Sequence, residues 1–216
     1  MKVTVNVTVL ALLAAAAAFP QTGQQRAKRV IDDALAALGG NRFLAMQDVV
    51  ERGRAYSFHR EQLSGLTVAT LYIRYLPHAE PAETGGLRIA EREAFGKSGR
   101  DGVVLFLDGK EFEITFRGAR PLPRERVERD RETTLHNVFY ILRERLSEPG
   151  ITFDYRGFET VDNHPTDAVD IGDADNRTVT VYFDRESKLP IRQVYYWLDP
   201  KTRDRNEEVT VFAKFR

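Results

Sequence analysis

The sequence predicts an α+β fold: one long antiparallel sheet that meanders and curls, accompanied by two helices. Three observations lead there. Strand-like runs with period-two alternation fill two blocks, residues 49–116 and 151–215. One helical segment precedes each block, so helices and strands are segregated rather than alternating. The connections within each block are mostly hairpin-length, which favours antiparallel neighbours. A single sheet of about ten strands must then twist and curl.

The elements follow in order. From Gln24 to Leu38, the residues Val30, Ile31, Ala34, Leu35 and Leu38 recur at helical spacing and form one apolar face. Gly39-Gly40 ends this helix, because glycine adopts positive φ without penalty. Asn41 is expected to cap one further turn. Val49–Arg60 is the first strand, with Arg52, Arg54, Tyr56 and Phe58 on one side. Leu66–Leu76 is apolar on both faces. Pro77–Gly86 reads as a loop from its prolines and glycines. Leu87–Phe95 resumes strand, and a hairpin folds about Asp108-Gly109. Residues 117–150 form the second helical region. Its first half is almost wholly charged, whereas Leu135, Val138, Phe139, Leu142 and Leu146 place an apolar stripe on its second half. Pro149-Gly150 stops it. Five more strands follow: Ile151–Val161, Ala168–Ile171, Thr178–Asp184, Ile191–Leu198 and Glu207–Phe215.

Composition narrows the function classes. The 216-residue chain is 42% hydrophobic and 30% charged, as soluble globular proteins are. Lys+Arg and Asp+Glu both number 32, so no global field attracts nucleic acid or an acidic partner. Arginines 124, 126, 129 and 131 interleave with Glu125, Glu128, Asp130 and Glu132, the pattern of a solvated helix laced with i,i+4 pairs rather than a phosphate-binding stripe. Lys2 followed by an apolar run from Val7 to Phe19 reads as a secretory signal peptide, residues 1–18, with small residues Ala16 and Ala18 before the cut. An uncleaved anchor or a buried helix is the competing reading of that run. Residues 19–216 then form a single domain exported to the periplasm. The chain has no cysteine, which excludes a disulfide, a thiolate metal site, a cysteine nucleophile and N-terminal lipidation.

Few residues suggest chemistry. The histidines His59, His78, His136 and His164 share no metal-ligand spacing, and His136 beside an apolar stripe reads as an interfacial histidine. Asp170, Asp173, Asp175 and Asn176 lack the order of a calcium loop, and Gly172 to Asn176 reads instead as a hairpin turn. No nucleophile motif or phosphate loop is present, so no catalytic residue, metal or cofactor is expected. The stretch VTVYFDRESKLPIRQVYYWLD, residues 179–199, carries a different message. Its second strand is bulky on both faces, with Val194, Tyr196 and Leu198 on one and Ile191, Tyr195 and Trp197 on the other. The second face is either ordinary core or the lining of an apolar ligand groove, and periodicity does not separate the two.

The C-terminal third, YRGFETVDNHPTDAVDIGDADNRTVTVYFDRESKLPIRQVYYW with EEVTVFAKFR, resembles the LolA-like superfamily of outer-membrane lipoprotein carriers, as does the opening ALAALGGNRFLAMQDVVERGRAYSF. That resemblance implies an unclosed antiparallel β-barrel, a half-barrel, with helices on its concave side. It implies a periplasmic carrier that holds a lipid or acylated lipoprotein ligand in an apolar groove, touching membrane components only peripherally. Phe139, Leu142, Tyr195 and Trp197 are the expected lining. Carriers of this type latch their lid through an arginine on an early strand, and Arg52 and Arg54 are the candidates for that latch or for a headgroup contact. The alternatives are a periplasmic protein-interaction module with a filled core, and an enzyme on the same fold in which His136 meets Arg52 or Arg54.

Overall fold

A computed structural model of the chain describes residues 22–59, 62–77, 87–99, 101–107, 109–198 and 203–215. The signal segment, His78 with most of its loop, and Asp108 lie outside the described residues. The α+β class and the antiparallel pairing are as expected, but hydrogen bonding divides the strands into two sheets instead of one curled sheet. The first contains β1 (Asp48–His59), β2 (Gln62–Tyr75), β3 (Ile89–Phe95), β4 (Gly102–Leu107), β5 (Lys110–Thr115) and β6 (Gly118–Pro121), in sequence order. The second runs β11 (Arg205–Val211), β10 (Pro190–Leu198), β9 (Thr178–Asp184), β8 (His164–Gly172) and β7 (Thr152–Val161).

The division has a local cause. Between β6 and β7 the chain is helical: α3 (Arg124–His136), the short α4 (Val138–Tyr140) and a π-helical turn (Ile141–Arg145). Both faces of this segment are apolar near its end. Leu135 and Tyr140 pack with Tyr75, Ile89 and Phe106 of the first sheet. Val138, Ile141 and Leu142 pack with Val169, Val179, Val181 and Phe183 of the second. A segment that buries two faces keeps the sheets apart, and β6 and β7 remain edges. β6 itself falls inside the region that the sequence reads as helical. Pro121 and Pro123 deny the helix its backbone donors there, and the four residues before Leu122 pair with β5 instead.

The N-terminal helix, α1 (Gly23–Ala37), starts from a reciprocal cap in which the Thr22 hydroxyl accepts from the Gln25 amide and Gln25 returns to the Thr22 amide. Its buried Ala27, Ile31 and Ala34 lie against β7 and β8. Gly39 and Gly40 take φ of 111° and 55°. The following turn, α2 (Asn41–Leu44), begins at Asn41 and is preceded by Gly40 with no side-chain cap, so Asn41 is the first helical residue rather than the cap. No helix among the described residues is long and apolar enough to cross a membrane.

One buried cation ties the helical segment down. Arg145 is 5% exposed. Its guanidinium donates to the Leu135 carbonyl at 2.7 Å, to Glu148 at 2.6 Å and to Asp173 Oδ2 at 2.7 Å. Asp173 sits in the β8–β9 turn. Its other oxygen accepts from the Asp175 and Arg177 amides at 2.9 and 3.0 Å, which makes this cluster the hairpin turn read from the sequence. Arg145 and Arg177 hold the Asp173 carboxyl below its ordinary range despite burial.

Two outcomes are expected. Leu142→Ala removes a fully buried side chain and should lower stability by about 2–5 kcal/mol in urea titrations. Asp173→Ala removes the buried one of the two carboxylates that answer the Arg145 guanidinium, leaving it the more exposed Glu148, and should cost about 3 kcal/mol in the same titration.

Candidate functional site

A cavity of about 260 Å³ lies between the inner face of the first sheet and the α3–α4 segment. Strand alternation decides what faces it. Leu71 and Ile73 of β2, Ile89 of β3, and Val104 and Phe106 of β4 form an apolar floor. Thr133, Thr134, Asn137, Phe139 and Tyr140 form the roof. The roof is shaped by a break in the helix at Asn137, whose φ and ψ of −69° and 122° are extended. The Asn137 side chain accepts from the Phe139 and Tyr140 amides and restarts the helix, while Gln193 of β10 accepts from the Val138 amide at 2.9 Å. Tyr140 then accepts from the Arg88 amide at 3.0 Å.

The cavity is strongly acidic. Glu51, Glu91, Glu93, Glu111 and Asp130 line it, against one cation, Arg126. Pairing sets Glu91 and Glu111 on either side of Phe106, since Phe106 is the partner of both. At two strand spacings their backbones are about 10 Å apart. Glu111 is 5% exposed, and its Oε2 has no hydrogen-bond partner. The Asp130 carboxyl lies against Glu111, and Arg126 Nε donates to Asp130 at 2.6 Å. Arg126 thus answers Asp130 first.

Burial, then the repulsion of Asp130 and a hydrogen bond between the two carboxyls, pushes Glu111 up to about 7. Burial also pushes Glu91 up to about 7, and the charges acting on it next are all carboxylates: Glu93, Asp130, Glu111 and Glu51. Glu93 is raised by burial, with Arg126 opposing.

The residues expected to bind ligand are dispersed. Phe139 lines the cavity and meets Phe212 edge-on, with ring centroids 4.9 Å apart. Leu142 is fully buried in the core beside the second sheet. Tyr195 is buried, stacks on His136 at 4.1 Å between centroids, and hydrogen-bonds Thr133 at 3.0 Å. Trp197 is half-buried beneath the Arg129 guanidinium. Arg52 and Arg54 alternate with the cavity-lining Glu51, so they stand exposed on the outer face of the first sheet, away from both the cavity and His136. The carboxyls of the inner face were missed. A signal for them exists in IAEREAF, where Glu91 and Glu93 alternate with Ala90, Arg92 and Ala94, leaving neither face a plain solvent face.

No family model matches the chain, and no curated protein matches it. Solved structures do. A DUF1329 family protein from Desulfovibrio piger is similar over 82% of this chain and 75% of that one, at 11% identity and a TM-score of 0.45. An outer membrane lipoprotein-sorting protein domain from Vibrio parahaemolyticus is similar over 81% and 74%, at 9% identity and a TM-score of 0.45. A LolA superfamily protein from Nitrosomonas europaea is similar over 79% and 71%, at 10% identity and a TM-score of 0.41. At these identities no site residue is carried over from them, and the chemistry of the cavity is read from its own side chains.

The raised carboxyls make stability depend on pH. Glu91 and Glu111 bind their protons more tightly in the fold than in the unfolded chain. Their stabilising contribution is complete below about pH 4.5 and is lost as pH rises through about 7. Glu111→Gln keeps the shape and removes the charge. Its unfolding free energy from urea titration is expected to match the parent at pH 4 and to exceed it at pH 8, by on the order of 2 kcal/mol.

Proposed function

We propose that this protein is a non-catalytic, exported binding protein or carrier. It holds the apolar part of a lipid or acylated ligand between the first sheet and the α3–α4 segment. The single observation that carries this reading is the cavity of about 260 Å³, floored by aliphatic residues and Phe106 and roofed by Phe139. With water occupying about 30 Å³ per molecule, it has room for roughly nine water-sized groups, a short length of chain or a compact apolar body. Burial of apolar surface supplies the affinity. The signal-like N-terminus supports a periplasmic setting. Of the residues first expected to bind, Phe139 makes direct contact in this reading, and Tyr195 acts through Thr133. Leu142 and Trp197 support the roof from the far side, and Arg52 and Arg54 are left for a partner on the outer face.

A second reading, a surface for a periplasmic protein partner, is favoured by that outer face. Val50, Leu66, Val68 and Tyr72 of β1 and β2 are exposed there beside Arg52 and Arg54. An isolated surface leucine is ordinary, whereas a contiguous apolar row is the pattern of an interaction site.

The test of the first reading fills the cavity. Leu71→Trp is expected to weaken the binding of 1-hexanol, followed by shifts of cavity amides in NMR spectra, by at least tenfold, while the circular dichroism spectrum is retained. Unchanged hexanol binding in that variant, or no binding by the parent, would sink the ligand-site reading and leave the outer face as the functional surface.

A further inference from the structure

We infer that the cavity is selective for an organic cation: its ligand carries an ammonium or similar positive group on an apolar body, and Glu111 with Glu91 receives that charge. This deepens the binding reading above and rests on it.

Glu111 is buried without a full set of partners. Its side chain is nineteen-twentieths buried, points into the cavity, and leaves Oε2 without a hydrogen-bond partner. A buried carboxyl oxygen without a partner carries a desolvation cost, and proteins rarely leave one unanswered without a reason. The nearest side chain with opposite charge, Arg126, is already engaged by Asp130 at 2.6 Å. Asp130 in turn presents a second carboxyl, and its hydrogen bond with Glu111 requires that the pair keep a proton, so Oε2 stays unanswered. Across Phe106, the half-buried Glu91 also lines the cavity, and the charges acting on it are carboxylates.

Five carboxyls against one guanidinium leave the site acidic even when two of the five hold protons. A group that enters the cavity bringing N–H donors and a positive charge satisfies Oε2, relieves the repulsion between Glu111 and Asp130, and releases the proton they hold. An anion meets the opposite situation: it finds acceptors only, in a partly dry site where like charges repel strongly.

The class of cation follows from the floor. Among the described residues no group of three or more acidic or histidine side chains is placed to hold a metal ion. Leu71, Ile73, Val104 and Phe106 lie under the carboxyls and offer nothing to a bare ion's hydration shell. They do suit an alkyl or aryl body, and the phenyl face of Phe106 between the two glutamates suits an adjacent cation as well. A free amine and the amine of a lipid headgroup share this chemistry.

The test compares three probes of matched length, hexylammonium, 1-hexanol and hexanoate, on the purified chain at pH 8 by calorimetry and NMR. Hexylammonium is expected to bind at least tenfold more tightly than 1-hexanol, and hexanoate not to bind. Glu111→Gln should lose at least tenfold more affinity for hexylammonium than for 1-hexanol, and Glu91→Gln gives a second variant with the same expectation. Affinity for hexylammonium should also fall as pH drops from 8 to 5. The charges that face the ammonium over this range are Glu51 of β1, Glu91 and Glu93 of β3, Glu111 of β5, and Arg126 and Asp130 of α3, with the phenols of Tyr75 and Tyr140 uncharged throughout. Separate titrations with short-chain phosphatidylethanolamine and with hexylammonium distinguish a lipid headgroup from a free amine. If 1-hexanol binds as well as hexylammonium, or if hexanoate binds, the cation inference is overturned and the binding reading stands. If none of the three binds, both fall.

Discussion

A helical segment that must satisfy two sheets at once is the constraint on which the rest of this structure depends. Residues 124–146 run between the sheets and bury Leu135 and Tyr140 on one side and Val138, Ile141 and Leu142 on the other. A regular α-helix would spread these residues around its axis and push Arg145 outward. The extended Asn137 and the π-helical turn after it re-aim the chain. Arg145 thereby comes under Leu135 and onto Asp173, which joins the end of the segment to the β8–β9 turn. A buried ion pair of this kind is weak evidence of stability, but it specifies one placement of the segment over others.

The cavity is a consequence of that placement. The end of α3 and α4 come down on the first sheet through Tyr140, and the charged beginning of α3 brings Arg126 and Asp130 to Glu111 of β5. The space left between is closed by Phe139 and Thr133 above and by β2, β3 and β4 below. Because α3 brings Arg126 and Asp130 over strands that carry Glu91, Glu93 and Glu111, charges that would be solvated on an isolated helix become site electrostatics. Arg126 and Asp130 are an i,i+4 pair by spacing; in the fold they also neighbour a buried glutamate.

The two-faced strands now have a physical account. In β10, the inner Tyr195 and Trp197 are core, packed against the helices, while Tyr196 and Leu198 are exposed on the outer face, with Arg205 over the Tyr196 ring. In β2, Leu71 and Ile73 face the cavity, while Leu66, Val68 and Tyr72 face solvent. The same apolar alternation therefore has different outcomes on the two sheets. Above the inner face of the first sheet the strands and the α3–α4 segment enclose the cavity, whereas Val138, Ile141 and Leu142 pack onto the second.

The sequence by itself determined the α+β class, most element positions, the antiparallel pairing, the turn at Asp173 to Asn176 and the burial of the stripe from Leu135 to Leu146. Each rests on local spacing or turn chemistry, which a few neighbouring residues decide. Tertiary structure alone decided that the strands form two sheets, that Gly118–Pro121 joins the first, and that Leu142 and Tyr195 are buried beside the second. It also decided that Arg52 and Arg54 face outward and that five carboxyls meet over Phe106. Residues far apart in the chain, Glu51 to Asp130, come to one cavity through strand register and helix placement. The alternation of Glu91 and Glu93 shows that they share a face, but what covers that face is set by residues some forty positions later.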